Sequence, residues 1–192
     1  MPVSAGEEII LQWNEWPTSH VGPVITYLAS CNGSCSGPNP DEMETIKERL
    51  EWVKIDELGW LNSTGWEVLD LGGTWASNIL IFNDYSWVVR IPEGLKDGEY
   101  VLRHEIIALH VAENLDGAQA YPQCVNIKVE RGDRGGGKRL DSGVVGTGLY
   151  GIRDEGILVD VHKKIEGYKI PGPGVWSGTS PVRQPNMSGK DD

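Results

Sequence analysis

Short runs in which apolar and polar residues alternate, separated by turn residues, make up much of this chain. Such period-two runs are typical of β-strands that bury one face. A further apolar run lies at Gly156–Val161, and Asn62–Gly73 has the composition of an irregular insertion. The alternating pattern predicts strands at Glu8–Trp13, Pro23–Leu28, Trp52–Ile55, Trp87–Ile91, Glu99–His110 and Cys124–Glu130.

One window has helical spacing instead. Within Asp41–Leu50, the apolar residues Met43, Ile46 and Leu50 recur at intervals close to a helical turn. Acidic residues open the window, where they would face the positive end of the helix dipole. We expect this helix, whose pattern runs on to Trp52, to be the only one of more than two turns.

The longest predicted strand indicates the fold class. Along Glu99–His110, alternate positions from Tyr100 to His110 would share one face of a sheet. A tyrosine that opens a strand directly after a turn resembles the tyrosine corner of immunoglobulin-like sandwiches. We predict an all-β protein, an antiparallel β-sandwich of the immunoglobulin or fibronectin-III kind, with long loops and one short helix.

Composition supports this fold class. The chain has 192 residues, enough for one domain with a substantial core. Its 25 glycines, 11 prolines and eight tryptophans, against a single phenylalanine, favour a turn-rich β protein. From Ser177 onward the residues are small and polar. We predict a β-sandwich domain at 1–176 and a disordered tail or linker at 177–192.

The charge of the chain limits its partners. The formal net charge of −11 would repel nucleic acids and anionic membrane surfaces. A neutral polysaccharide carries no such penalty, and no apolar run is long enough to span a bilayer. We expect neither nucleic acid nor a membrane as partner.

The cysteines and sequons are typical of a secreted protein. Cys31 and Cys35 bracket a tight turn, and a bridge between them would stabilise the fold by about 2 kcal/mol in the chain-entropy model. Cys124 then lies outside that bridge, as a thiol, in a bond to another molecule, or lacking its native partner. N-glycosylation sequons begin at Asn32, Asn62 and Asn186, the first inside the cysteine loop.

Residues that bind metals are concentrated in two stretches. Leu102–Cys124 holds His104, His110, Gln119 and Tyr121 on what reads as two strands joined by a turn, and His20 precedes another strand. Taken singly, His20 is more simply a turn residue and His104 a buried, hydrogen-bonded one. Their combination predicts a metal site on the rim of the sandwich.

Five blocks in this chain make a resemblance specific. The chain resembles the fungal lytic polysaccharide monooxygenases of auxiliary activity family 9 at Trp16–Cys35 (WPTSHVGPVITYLASCNGSC), Gly73–Ser77 (GTWAS), Leu102–His110 (LRHEIIALH), Asp116–Cys124 (DGAQAYPQC) and Tyr168–Pro173 (YKIPGP). The blocks occur in the family's order and cover nearly the whole chain.

The resemblance implies a copper chemistry. These enzymes hold one copper ion between an N-terminal histidine, a second imidazole and an axial tyrosine, and oxidise a glycosidic carbon with an external electron donor. By motif position, His20 is the second imidazole and Tyr121 the axial phenol. His110 and Gln119 match the pair that hydrogen-bonds the oxygen species, whereas His104 matches no ligand. His162 stands where the family often has a tyrosine on the flat substrate face.

The start of the chain departs from the family pattern. Family members begin with the N-terminal histidine that binds copper, followed by a long segment. Here Met1 is followed almost directly by the Glu8–Trp13 strand. The resemblance places the bonding partner of Cys124 in that segment too. We therefore expect a truncated, inactive form of a secreted, monomeric enzyme that cleaves cellulose or a related β-glucan.

Two other functions are compatible with the residues. One is a non-catalytic β-sandwich protein that binds a carbohydrate or copper. The other is a zinc hydrolase that uses His20 and His110. The hydrolase is disfavoured because no H-E-x-x-H motif or paired carboxylates accompany these histidines.

Overall fold

The computed structural model describes residues 1–36, 49–64, 71–130 and 137–185. In these residues one α-helix, α1 (Ala76–Phe82), and a single 3-10 turn (Gly146–Gly148) accompany ten strands. The strands are β1 (Pro2–Ser4), β2 (Glu8–Gln12), β3 (Val24–Ser30), β4 (Glu51–Leu58), β5 (Trp60–Asn62), β6 (Thr74–Trp75), β7 (Ser86–Arg90), β8 (Gly98–Ala108), β9 (Gln119–Glu130) and β10 (Val144–Val145). Within the described residues, no helix is long and apolar enough to cross a membrane.

The strands form a sandwich. Six of them make one sheet in the order β1-β9-β8-β3-β4-β10, and β2 pairs with β7 in a second sheet. Strands β5 and β6 form a separate two-stranded ribbon. The pairings are antiparallel, as predicted, except that the short strand β1 runs parallel to β9. This arrangement confirms the predicted β-sandwich.

The central strands β3 and β8 of the large sheet are buried on both faces. On one face, residues of β3 and β8 pack against the second sheet, and the resulting core includes Val24, Leu28, Leu102, Ile106, Trp87 and Val89. On the other face, Ile25, Tyr27 and Ile107 pack with Leu149 and Val161 from the C-terminal third of the chain. Strand β3 therefore reads as a nearly continuous apolar run, because both of its faces lie in a core.

The predicted strands are confirmed, but β4 extends to Leu58 and β9 begins at Gln119, five residues before Cys124. The apolar run Gly156–Val161 forms turns and irregular backbone, and its Val161 is fully buried. The predicted helix falls largely on residues 41–48, outside the described residues, and the pattern's extension through Trp52 is wrong because Glu51 already begins β4. Asn62, placed in an irregular insertion, ends β5.

Helix α1 was not predicted from the sequence. It begins where the Asn78 side-chain oxygen accepts the backbone N–H of Trp75 at 2.8 Å. Such a contact satisfies one of the donors that a helix start leaves without partners. Ile79 and Leu80 face the core, and the helix ends at Phe82 with Asn83 as its C-cap. Its seven residues are too few to show a helical period.

Two local features follow the sequence closely. Cys31 and Cys35 form the predicted disulfide, while Cys124 lies on β9 with its side chain exposed. Tyr100 is buried near the start of β8, and its hydroxyl donates to the Lys96 carbonyl at 2.6 Å. This contact to a backbone carbonyl just upstream is the tyrosine corner that the sequence indicated.

The residues after 176 contact the second sheet. The Gln184 side chain accepts from Val88 N at 2.9 Å and donates to Val88 O at 2.8 Å. It therefore pairs with the edge of β7 much as another strand would. The domain boundary at residue 176 remains a prediction.

A row of buried polar residues crosses the large sheet. Thr26 lies opposite His104 on one side and Asp56 on the other. Thr26 Oγ1 and His104 Nδ1 share a hydrogen bond of 3.0 Å, and Trp87 donates to Asp56 Oδ2 at 3.1 Å. Burial lowers the pKa of His104 to about 3, and burial raises the pKa of Asp56 to about 6.

These pKa shifts predict a specific pH dependence. The imidazole has its usual pKa of 6.5 when unfolded and about 3 when folded, so acid favours the unfolded state. Stability due to neutral His104 should fall as pH drops from 6.5 towards 3, by up to about 1.4 kcal/mol per pH unit. His104→Gln, which does not titrate, should lose this dependence in urea unfolding measured across that range.

Comparing wild type with His104→Gln isolates the contribution of His104 to the pH dependence of stability. Asp56 acts in the opposite direction, because its contribution is lost as pH rises from 3.8 through about 6. Since wild type and His104→Gln share this contribution, it cancels in their difference. Parallel curves of unfolding free energy against pH for the two proteins would contradict the prediction.

Candidate metal centre

The pairing of β8 with β9 brings the predicted site residues of both strands to one rim. Ala108, at the end of β8, lies opposite Gln119, and Ile106 lies opposite Tyr121. His110 follows β8 directly, so it lies at the same end of the sheet. The Tyr121 hydroxyl donates to Gln119 Oε1 at 2.7 Å. The amide of Gln119 thereby fixes the orientation of the phenol.

The loop that carries His20 is attached to the same end of β8. Leu109 N donates to Val21 O at 2.8 Å, and Ile107 N donates to Pro23 O at 3.2 Å. Gly22 lies between them, where a Cβ atom would be 1.9 Å from Ile107 O. Only glycine permits this approach, and the approach places His20 beside His110.

Two imidazoles and one phenol converge at this rim. The His20 and His110 rings stack with centroids 4.0 Å apart and planes 25° apart. The Tyr121 ring centroid is 6.3 Å from that of His20. His110 Nδ1 is buried and has no hydrogen-bond partner among the described residues. A buried polar atom without a partner is uncommon and needs an explanation, and a ligand at the rim would provide one for His110.

The electrostatics favour the metal-binding form of His20. Its Nδ1 lies 3.1 Å from Ser19 Oγ, which leaves Nε2 for a ligand. Burial, and then repulsion from His110, lower the pKa of His20 below its usual value. The ring is therefore neutral near pH 7, and a neutral imidazole is the form that binds metals.

His162 lies next to this site. It is exposed, its Nε2 is 2.9 Å from the His110 carbonyl oxygen, and its backbone N–H donates to Asp160 Oδ1 at 3.0 Å. The sequence placed His162 on a substrate face, and the structure places it at the rim beside His110. His104, by contrast, is buried in the core, so it is not brought to the rim.

The donor set fits copper in part. Tetragonal sites with nitrogen and oxygen ligands suit Cu(II), and His20 with Tyr121 supplies one of each, with a second imidazole in contact. No group of three or more His, Cys, Asp or Glu side chains in the described parts of the chain could hold a metal. The amino group of Met1 donates to Asn126 O at 3.0 Å, on a stretch of β9 beyond Tyr121.

The contact between the two imidazoles predicts that His110 affects the pKa of His20. Removing His110 in a His110→Ala variant takes away its repulsion, so the pKa of His20 should rise towards 6.5. Proton NMR of the imidazole resonances against pH measures this directly. Ser19→Ala is the matched control because it changes a contact of His20 without changing a charge. An unchanged or lower pKa of His20 in His110→Ala would show that the rings do not interact as described.

The chain is similar over most of its length to proteins of one family. The model of Auxiliary Activity family 9 (formerly GH61) matches residues 1–169. The chain is 49% identical over 179 residues to AA9 family lytic polysaccharide monooxygenase A of Talaromyces verruculosus, which covers 93% of this chain and 50% of that protein. It is 48% identical over 177 residues to the enzyme of the same name from Thermoascus aurantiacus, covering 92% and 71% respectively.

Solved structures agree with this assignment. The extended catalytic domain of H. jecorina LPMO9A has a TM-score of 0.81 and 46% identity, covering 95% of this chain and 67% of that one. The aligned part of this chain spans half the length of its curated relative from T. verruculosus. The family match and these identities confirm the resemblance seen in the five sequence blocks, and the chain belongs to Auxiliary Activity family 9.

Proposed function

We propose that this protein is a copper-dependent lytic polysaccharide monooxygenase that cleaves glycosidic bonds of cellulose or a related β-glucan oxidatively. The observation that carries the proposal is the convergence of His20, His110 and Tyr121 at one rim, in a chain of family 9. The relatives from T. verruculosus and T. aurantiacus bear the name of this activity. One copper ion is the cofactor that this proposal requires.

His20 and Tyr121 are the residues that would hold copper. The neutral imidazole of His20 offers Nε2, and Tyr121 offers a phenol oxygen whose orientation Gln119 fixes. Copper, when bound, supplies one-electron redox chemistry towards an oxygen co-substrate, with electrons from an external donor. The residues around it bind, orient and hold protons.

Gln119 and His110 act next to the metal ligands. Gln119 uses its amide oxygen on Tyr121, so its N–H groups remain to donate to a polar ligand at the rim. His110 stacks on His20 and keeps a buried Nδ1 without a partner among the described residues, so it can hold or accept a proton there. Neighbours of this kind orient metal ligands and tune their basicity.

A neutral, extended polysaccharide is the substrate class that suits the surface. The net charge of −11 disfavours polyanions, and His162 is exposed beside the site, where its ring can lie against a sugar. Secretion and a monomeric state complete the proposal, as the family resemblance implies.

One observation is compatible with a second function, that of a non-catalytic carbohydrate- or copper-binding protein. The described residues hold no group of three or more His, Cys, Asp or Glu side chains suited to a metal. Such a protein would use the same rim and the same exposed His162 without turnover. The same observation weighs against the zinc hydrolase, which needs three protein ligands.

Copper titration with product analysis tests the proposal. We expect the chain to bind one Cu(II) per molecule by calorimetry, and His20→Ala to weaken binding at least about tenfold, because a direct ligand is lost. Gln119→Ala should leave the affinity nearly unchanged but reduce oxidised oligosaccharides released from cellulose with a reductant. His104→Gln is the control, since His104 lies in the core.

The outcomes separate the two functions. Copper-dependent oxidised oligosaccharides support an active monooxygenase and would contradict the inactivity expected from the sequence, which stays a prediction until this test. Binding of copper or cellulose through the same residues without oxidised products supports the non-catalytic protein. Cu(II) affinity equal in wild type and His20→Ala would contradict both assignments of the site.

A further inference from the structure

Trp16 lies at the point where the loop of His20 meets β9. Its side chain is buried, with 6% of its surface exposed. The indole Nε1 donates to the backbone carbonyl of His20 at 2.8 Å. A buried indole N–H needs an acceptor, and here that acceptor belongs to the residue proposed to bind the metal.

The same indole ring contacts the second proposed ligand. The Trp16 and Tyr121 rings meet edge to face, with centroids 5.0 Å apart and planes at 86°. The ring of His20 lies 5.9 Å away at 88°. Edge-to-face pairs of this kind stabilise one relative orientation of two aromatic rings. Trp16 therefore contacts the main chain of His20 and the side chain of Tyr121 at once.

The loop that carries His20 makes few other hydrogen bonds near Trp16. His20 N donates to Pro17 O at 3.0 Å, which closes a turn over the residues that follow Trp16. On the far side, Val21 is anchored to β8 through Leu109 N. Within the described residues, the indole bond is thus the one contact that joins the carbonyl of His20 to a side chain packed on β9.

We propose that Trp16 is a positioning residue of this site, which sets His20 relative to Tyr121 and so determines how tightly and in what geometry the site binds copper. The proposal rests on the proposed function for the role of the metal, but its geometric part concerns the protein alone. A change in the relative placement of ligands changes metal affinity and ligand field even when the ligands themselves remain.

Trp16→Phe separates positioning from packing. Phenylalanine keeps an aromatic ring against Tyr121 but cannot donate to the His20 carbonyl. Trp13→Phe is the matched control, because Trp13 packs on Trp16 with centroids 5.7 Å apart and on His104 at 5.9 Å. Both variants remove a similar part of one aromatic cluster. Trp16 is buried and also loses a hydrogen bond, so Trp16→Phe should lower the unfolding midpoint more than Trp13→Phe does.

Two readouts distinguish the variants. In the metal-free protein, nuclear Overhauser contacts between the His20 and His110 rings should persist in wild type and Trp13→Phe and weaken in Trp16→Phe. With Cu(II), Trp16→Phe should lower the affinity about tenfold and change the hyperfine splitting in the electron paramagnetic resonance spectrum. Trp13→Phe should keep the affinity within about twofold and leave the spectrum unchanged.

Each result bears on the proposal. Ring contacts, affinity and spectrum that are unchanged in Trp16→Phe would overturn it, as would equal changes in both variants. If wild type fails to bind copper at this rim, the proposed function fails, and the ring contacts alone then decide whether Trp16 positions His20. Weakened contacts confined to Trp16→Phe support the positioning role in either case.

Discussion

The antiparallel register between β8 and β9 is the constraint on which the rest of the site depends. It runs from Gly98 opposite Val129 to Ala108 opposite Gln119 without interruption. Because side chains alternate between faces, a slip of one residue would turn Gln119 and Tyr121 to the opposite face. The pairing of β8 with β3 then brings the loop of His20 to the same end of the sheet.

Buried polar contacts on the other face join β8 to β3 and to the C-terminal third of the chain. The Glu105 carboxylate, fully buried on β8, lies 2.5 Å from Arg103 Nη2 and accepts a hydrogen bond from the Tyr150 hydroxyl. Tyr150 in turn hydrogen-bonds Tyr27 of β3, and burial is the main cause that raises the pKa of both phenols. Both phenols therefore keep their protons and remain donors at ordinary pH.

A neighbouring contact attaches the C-terminal segment to the same sheet. Lys54, buried on β4, donates to Glu57 at 2.6 Å and to the carbonyl of Pro171 at 2.8 Å. Burial lowers the pKa of Lys54, and Glu57 opposes this shift. Together with the contacts of Tyr150, these hydrogen bonds attach the part of the chain that carries His162 to the sheet. The rim and its candidate substrate face are thus attached to the same sheet.

The sequence predicted the six longer strands because each buries apolar residues and so shows its period. It did not predict the short strands β1, β5, β6 and β10, whose two or three residues show no period. It predicted His20, His110, Gln119, Tyr121 and His162 through motif resemblance. It could not predict the stacking of His20 on His110, the bond from Trp16 to His20, or the contact of His162 with the His110 carbonyl. The two contacts of His110, with His20 and with His162, join residues far apart in the chain and follow from strand pairing and loop attachment. The bond from Trp16 to His20 spans four residues, but it depends on how the Trp16 ring packs on β9 and not on a local pattern.

Where the sequence failed, short segments explain the failure. Helix α1 has seven residues and depends on the Asn78 contact and on burial of Ile79 and Leu80. Gly156–Val161 is apolar because it packs on the face of the large sheet that carries Ile25 and Ile107. Its Val159 N–H donates to Ala112 O, which joins two loops. An apolar run of this length indicates burial but does not distinguish a strand from a packed loop.

Paramagnetic broadening in NMR spectra tests most directly whether these residues form one metal centre. Substoichiometric Cu(II) added to protein labelled at histidine and tyrosine should broaden the ring signals of His20, His110 and Tyr121 first. The signals of Tyr100, near the opposite end of β8, should stay sharp. Broadening of Tyr100 to the same extent, or signals of His20 and Tyr121 that stay sharp, would contradict the account.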